Sequence, residues 1–119
     1  MASHNDLGKE GELLAVEYLL KNGYAIIEQN YRFKKAEIDI IAQKAEVLAV
    51  VEVKTRSTDF FGEPYEFVKP KQQKLIYKAI DEYVIQHDLD VHVRFDIISI
   101  VITPQKTSIE HLKDAFFPF

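Results

Sequence analysis

The sequence predicts an α/β domain, and three observations carry that prediction. Apolar residues recur at helical spacing in two separate stretches, one before and one after a block of β-branched and aromatic runs. An apolar share of 47% beside 29% charged residues is the balance of a soluble globular protein, and it excludes disordered, collagen-like and membrane-embedded classes. At 119 residues the chain is long enough for one hydrophobic core and too short for two, so residues 1–119 are read as a single domain.

The first element runs from about Leu7 to Asn22. Leu7, Gly11, Leu14, Ala15, Tyr18 and Leu19 form the apolar stripe of an amphipathic helix, and Gly23 follows as its C-terminal stop. From Tyr24 to Phe33 the pattern turns to strand formers, and two further strand-like runs follow at Ala36 to Gln43 and Glu46 to Thr55. Three strands in succession suggest a meander. A loop containing Gly62 and Pro64 leads to a second helix, about Lys71 to His87, with Leu75, Ala79, Ile80, Tyr83 and Val84 on its buried side. A strand from Val91 to Ile102 closes the sheet, and Pro104 stops it. In the tail from Thr107, the apolar bulk of Phe116, Phe117 and Phe119 is expected to dock onto the domain.

Composition narrows the function classes. With no cysteine, neither a disulfide framework nor a thiolate zinc site can form, and a reducing cytoplasm fits best. No leading apolar segment resembles a signal peptide. The longest apolar runs, such as Val47 to Val51, fall far below the ~20 residues that span a bilayer, so a soluble, cytoplasmic protein with no membrane partner is expected. A net charge of −4 argues against a simple phosphate-coating protein. The basic residues nonetheless gather locally, at Arg32 with Lys34 and Lys35, at Lys54 with Arg56, and at Lys69, Lys71, Lys74 and Lys78. Of these, Arg32, Arg56, Lys71 and Lys74 are the candidate phosphate contacts, although Lys71 and Lys74 also suit a solvated helix face.

The most informative feature is where carboxylates interrupt hydrophobic strands. Glu52 ends the run Val47 to Val51 and Lys54 lies two residues on, so the period of a strand puts both on one face. Asp39 stands between Ile38 and Ile40, where an ionised carboxylate is costly unless a cation or strong donors compensate it. If Gln43 to Glu46 is a tight turn, antiparallel pairing sets Asp39 opposite either Val50 or Glu52, and either register brings both acids to one face. Opposed Cβ atoms about 4.5–5.5 Å apart let two carboxylates converge on one ion. Oxygen donors would select a hard cation, Mg2+ or Mn2+, while Lys54 would stabilise charge developing on a phosphate or orient the attacking water. Glu12 falls on the inward arc of the first helix beside Val16 and Leu19, either as a further ligand of the same ion or as a boundary residue at the rim of the stripe. A satisfied ion-pair cluster in a half-buried sheet is the competing account of Asp39, Glu52 and Lys54.

Asp39, twelve intervening residues, then Glu52-Val53-Lys54 resembles the PD-(D/E)XK nuclease superfamily, whose core motif is an acidic residue followed by a (D/E)-x-K triplet. Nearly the whole chain is similar to the YraN family of bacterial proteins. The resembling segments are Gly8-Lys9-Glu10-Gly11-Glu12, Asn30-Tyr31-Arg32, Ala36-Glu37-Ile38-Asp39-Ile40-Ile41, Val51-Glu52-Val53-Lys54-Thr55-Arg56, Lys71-Gln72-Gln73-Lys74-Leu75, Arg94-Phe95-Asp96 and Lys113-Asp114-Ala115-Phe116. That family is similar to archaeal Holliday-junction resolvases. The resemblance implies a restriction-endonuclease-like three-layer core, a mixed central sheet flanked by helices, and metal-dependent hydrolysis of DNA, branched DNA included. It assigns Glu12, Asp39, Glu52 and Lys54 to the catalytic site, the three acids as metal ligands, and by analogy it implies a homodimer. One departure is Ala36, where the family usually has glycine. If that glycine makes a bulge, the strand starts differently here.

Other residues carry weaker signals. Gln73 and Tyr77 match a Q-x-x-x-Y pattern found beside some exonuclease cores, a two-letter match read as coincidence. Arg94 and Asp96 share a strand face, as a structural ion pair or with Arg94 free for phosphate, the structural role being favoured. His4, His87, His92 and His111 lack metal-ligand spacing and are assigned no chemistry. Beside the nuclease stand two alternatives: a non-catalytic nucleic-acid- or protein-binding module on a nuclease fold, and an assembly factor that binds no nucleic acid.

Overall fold

A computed structural model describes residues 4–57 and 68–117. The elements are α1 (His4–Lys21), β1 (Ala25–Phe33), β2 (Ala36–Lys44), β3 (Val47–Arg56), α2 (Pro70–Gln86), β4 (His92–Ile102) and β5 (Thr107–Leu112). Helix α1 ends as its sequence predicts. Gly23 takes a φ of +87°, which lets the Tyr24 N–H return to the Leu19 carbonyl at 3.0 Å. Helix α2 starts on Pro70, whose fixed φ suits the first turn and whose missing N–H has no helical partner there in any case.

Strands β1, β2 and β3 form the expected antiparallel meander, β4 joins β3 in parallel after the α2 crossover, and β5 pairs antiparallel with β4. The predicted closure of the sheet by the Val91–Ile102 strand is therefore corrected: β5 lies outside β4, with Ile100 opposite Ile109. Its sequence, Thr-Ser-Ile-Glu-His-Leu, has the polar, mostly exposed character of an edge strand, which gives little hydrophobic periodicity to read. Phe116 docks into the core as expected, whereas Phe117 is exposed. Phe119 and the loop with Gly62 and Pro64 lie outside the described residues.

Each helix covers one face of the sheet. On the α2 side, Ile76, Ala79, Ile80 and Tyr83 pack on Ile38, Ile41, Leu48, Val50, Phe95 and Ile97. On the α1 side, Ala15 and Leu19 pack on Ile40, Ala42, Ala49, Val51, Ile98 and Ile100. The central strands β3 and β4 are thus buried on both faces, the physical reason that their sequences read as continuous apolar runs rather than alternations.

Backbone geometry shapes the region where β2, β3 and α1 meet. The β2–β3 hairpin turns through Ala45 at φ +53°, pairing Lys44 with Val47 and Ile40 with Val51, after which the paired ladder ends. Ile38 belongs to the α2-side core and Ile40 to the α1-side core, so the two-residue alternation of β2 slips at Asp39. Ala36 is an ordinary buried strand residue, and the positive φ of the preceding turn falls on Lys34 at +55°, so the missing family glycine costs the strand nothing. At Gly11, α1 comes so close to β3 that an added Cβ would collide with the Thr55 side chain.

Candidate functional site

Where the ladder between β2 and β3 stops, two acidic side chains continue it. The Asp39 N–H donates to Glu52 Oε2 at 3.2 Å, and the Val53 N–H donates to Asp39 Oδ2 at 2.8 Å. Each carboxyl accepts a backbone N–H of the other strand, which fixes both acids at the fork of the diverging strands. Of the two registers expected from the hairpin turn, the observed pairing extends to the one that sets Asp39 opposite Glu52 rather than Val50.

Glu12 reaches the same place from the α1 layer, close enough to Asp39 for each carboxyl to act on the other. The Gly11–Thr55 contact brings it there, because α1 can lie that close to β3 only with no side chain at position 11. From the α2 layer, Gln72 Nε2 donates to Glu52 Oε1 at 3.1 Å. Lys54 stands close enough for its ammonium to favour the ionised forms of both Asp39 and Glu52. The four residues proposed from the sequence are thus brought together by three elements. Glu37, which sequence reasoning did not select, adds its charge to the field on Glu12, Asp39 and Glu52. The period-2 spacing of Glu37 and Asp39 could have signalled it.

The electrostatics of this cluster are incomplete. Glu52 is 2% exposed, and burial followed by the Asp39 charge pushes its pKa up to about 8, against opposing help from the Asp39 N–H and Lys54. Burial raises Asp39 as well, and burial with the Asp39 charge raises Glu12. One lysine and neutral donors do not balance three neighbouring carboxyls. Among the described residues no three His, Asp or Glu side chains already close on one point. The donor chemistry nevertheless fits a hard divalent cation: oxygen donors only, on two acids fixed by backbone and a third beside Asp39, in a site short of positive charge.

The candidate phosphate contacts surround this fork unevenly. Lys71 is exposed on the first turn of α2 next to Gln72, and Lys74 is exposed one turn on. Arg32 on β1 is exposed and ion-paired with Glu37 at 3.2 Å. Arg56, at the end of β3, is partly buried and donates through Nη2 to Ser99 Oγ at 3.4 Å. Gln73 does not face the carboxylates. It donates to the Val68 carbonyl at 2.7 Å, and its neighbour Gln72 is the glutamine that reaches the acids.

A second buried acid lies on β4. Arg94 grips Asp96 through Nε at 2.9 Å to Oδ1 and Nη2 at 2.8 Å to Oδ2, so the structural ion pair expected from the sequence is present. His111, to which the sequence gave no role, has its Nε2 2.7 Å from Asp96 Oδ2 and its Nδ1 3.2 Å from the Tyr18 hydroxyl. An ionised Asp96 can only accept, so His111 Nε2 is the donor in that contact. Nothing in the linear sequence links position 111 to position 96; the β4–β5 pairing does.

Fold and site together define an α/β protein with a carboxylate–lysine cluster in the fork of its sheet. The chain belongs to the Uncharacterised protein family UPF0102, whose family model matches residues 11–100, in agreement with the YraN resemblance. It is 57% identical over 119 residues, covering all of both chains, to UPF0102 proteins of Flavobacterium psychrophilum and Christiangramia forsetii. It is 45% identical to one of Bacteroides thetaiotaomicron, covering 99% of this chain and 98% of that one. Among the described residues no helix is long and apolar enough to cross a membrane.

Proposed function

We propose that this protein is a metal-dependent endonuclease-like hydrolase of DNA phosphodiester bonds, built on a restriction-endonuclease-like core and acting in the cytoplasm. The single observation that carries the reading is the reciprocal pair at the fork, in which Asp39 and Glu52 are each anchored by the other strand's backbone while their charge is left unbalanced. A structural ion-pair cluster would bring its own cations, as Asp96 does with Arg94.

Asp39 and Glu52 would hold Mg2+ or Mn2+, with Glu12 completing the set. When bound, the ion supplies charge neutralisation at the scissile phosphate and an activated water. Lys54 stabilises the negative charge that develops on the phosphate oxygens, or orients the attacking water, and its place beside both acids suits either task. Glu12 lies beside Asp39 and extends the oxygen lining toward α1. Arg32, Arg56, Lys71 and Lys74 supply phosphate contacts, Lys71 and Lys74 from the helix that also carries Gln72. Branched DNA as substrate and a homodimer as the cutting form are part of this proposal, on the family resemblance.

A second reading, a nucleic-acid-binding module that keeps the nuclease shape, is favoured by the net charge of −4 and by carboxyls that do not yet converge. One experiment separates the two. Calorimetric titration of Mg2+ and Mn2+ into the wild type, Asp39→Asn and Glu52→Gln is followed by cleavage assays on branched and linear DNA. The nuclease reading expects metal binding and cleavage in the wild type and neither in the variants. Salt-dependent DNA binding without cleavage or metal uptake supports the module instead.

A further inference from the structure

We infer that Gln72 is a positioning residue for Glu52: its side-chain amide fixes the carboxyl orientation from which Glu52 meets a divalent cation. This inference rests on the metal-site reading of Asp39 and Glu52. Its basis is the hydrogen bond from Gln72 Nε2 to Glu52 Oε1 at 3.1 Å, which joins α2 to β3 across twenty positions of sequence. The other oxygen, Oε2, is already held by the Asp39 N–H. Glu52 is 2% exposed, so with one oxygen fixed by β2 and the other by α2 its carboxyl plane is set from two layers of the fold.

The neighbouring glutamine shows that this is not the ordinary role of a side chain at the start of α2. Gln73 bonds back to the Val68 carbonyl and closes its own helix start, whereas Gln72 leaves the helix entirely. The chemistry of the donor also matters. An amide satisfies a buried carboxyl oxygen without supplying a countercharge, so the site is left without an internal cation at that oxygen. A lysine or arginine at position 72 would satisfy the same oxygen and supply that cation, which is the arrangement found at Asp96 with Arg94. Gln72 therefore orders Glu52 while bringing no countercharge of its own, so the place of a cation is left to an ion from solution.

The test is manganese titration calorimetry on the wild type, Gln72→Met and Gln72→Lys, with thermal melts of each in EDTA. Gln72→Met keeps the length and shape of the side chain but removes the donor. It is expected to weaken Mn2+ binding roughly ten- to hundredfold, the usual penalty for losing an outer-shell partner, with little change in the metal-free melting temperature. Gln72→Lys supplies an internal cation and is expected to weaken Mn2+ at least as much while raising the metal-free melting temperature. A merely structural glutamine would move the Gln72→Met melt and leave the Mn2+ affinity of that variant at the wild-type value. Wild-type affinity in Gln72→Met overturns the positioning role and leaves the carboxylate site standing; a wild type that takes up no Mn2+ overturns both.

Discussion

Asp96 and Glu52 are both almost completely buried acids on neighbouring central strands, with exposures of 0% and 2%, yet their surroundings push them in opposite directions. Burial raises the Asp96 pKa, but hydrogen bonds from His111 and Arg94, the Arg94 charge and the Asp114 N–H outweigh it and hold the carboxyl below its ordinary value. Around Glu52 the partners are a backbone N–H, an amide, one lysine and a second acid, and burial wins. A buried acid whose countercharge comes from the chain fastens elements together. Asp96 ties β4 to β5 through His111, which in turn touches α1 through Tyr18. A buried acid given mainly neutral donors holds a proton that a cation from outside can replace, at a cost in stability that the rest of the fold must carry.

The sharpest way to break this comparison is to remove the countercharged acid. Asp96→Asn leaves Arg94, whose side chain is 13% exposed, without its anion, and should destabilise the protein by about 3–5 kcal/mol in urea melts. A loss below ~1 kcal/mol would show that Asp96 is not the fastening it is taken for. On the other side, Lys54→Ala should lower cleavage by about 10²–10³-fold, as loss of one preorganised charge at a transition state does. Its metal-free melting temperature should hardly fall, and a large fall with unchanged cleavage would reassign Lys54 to structure.

Smaller effects sharpen the contrast. Gly11→Ala should cost about 1–3 kcal/mol by overpacking α1 on Thr55, and should weaken Mn2+ binding by displacing Glu12. Unchanged affinity would remove Glu12 from the ligand set. The two acids also predict opposite pH trends in metal-free melts. Glu52, raised to about 8, holds a proton in the folded state that the unfolded chain releases near its ordinary 4.5, so its contribution is fully present below ~4.5 and is lost as pH rises toward 8. Asp96 is depressed, so its contribution is present above about 3.8 and is lost as pH falls through its lower folded value. Glu52→Gln should flatten the decline between pH 5 and 8 without changing the acid limb. A variant that keeps the alkaline decline would place its origin elsewhere.

Much of the site was legible because it breaks local rules. An aspartate between isoleucines and a glutamate at the end of a valine run stand out where period and burial leave no room for charge, and Lys54 follows at strand spacing. Gln72 was not legible, since two adjacent glutamines at a helix start look alike in sequence. Only the packing of α2 sends one across to Glu52 and turns the other back to Val68. His111 was hidden for a related reason: it lies on a polar edge strand that carries almost no hydrophobic pattern.

By itself the sequence determined the α/β class, both helices and the three-strand meander, and it narrowed the β2–β3 pairing to two registers. These follow from hydrophobic period, from a glycine stop and a proline start, and from a short hairpin turn, all acting over a few residues. Tertiary structure alone decided that β5 rather than β4 forms the edge, that β2 and β3 part at Asp39, and that one buried acid is matched with an arginine while the other is met by an amide. Those outcomes depend on contacts between residues distant in the chain, whose energies are set by which elements come to lie side by side.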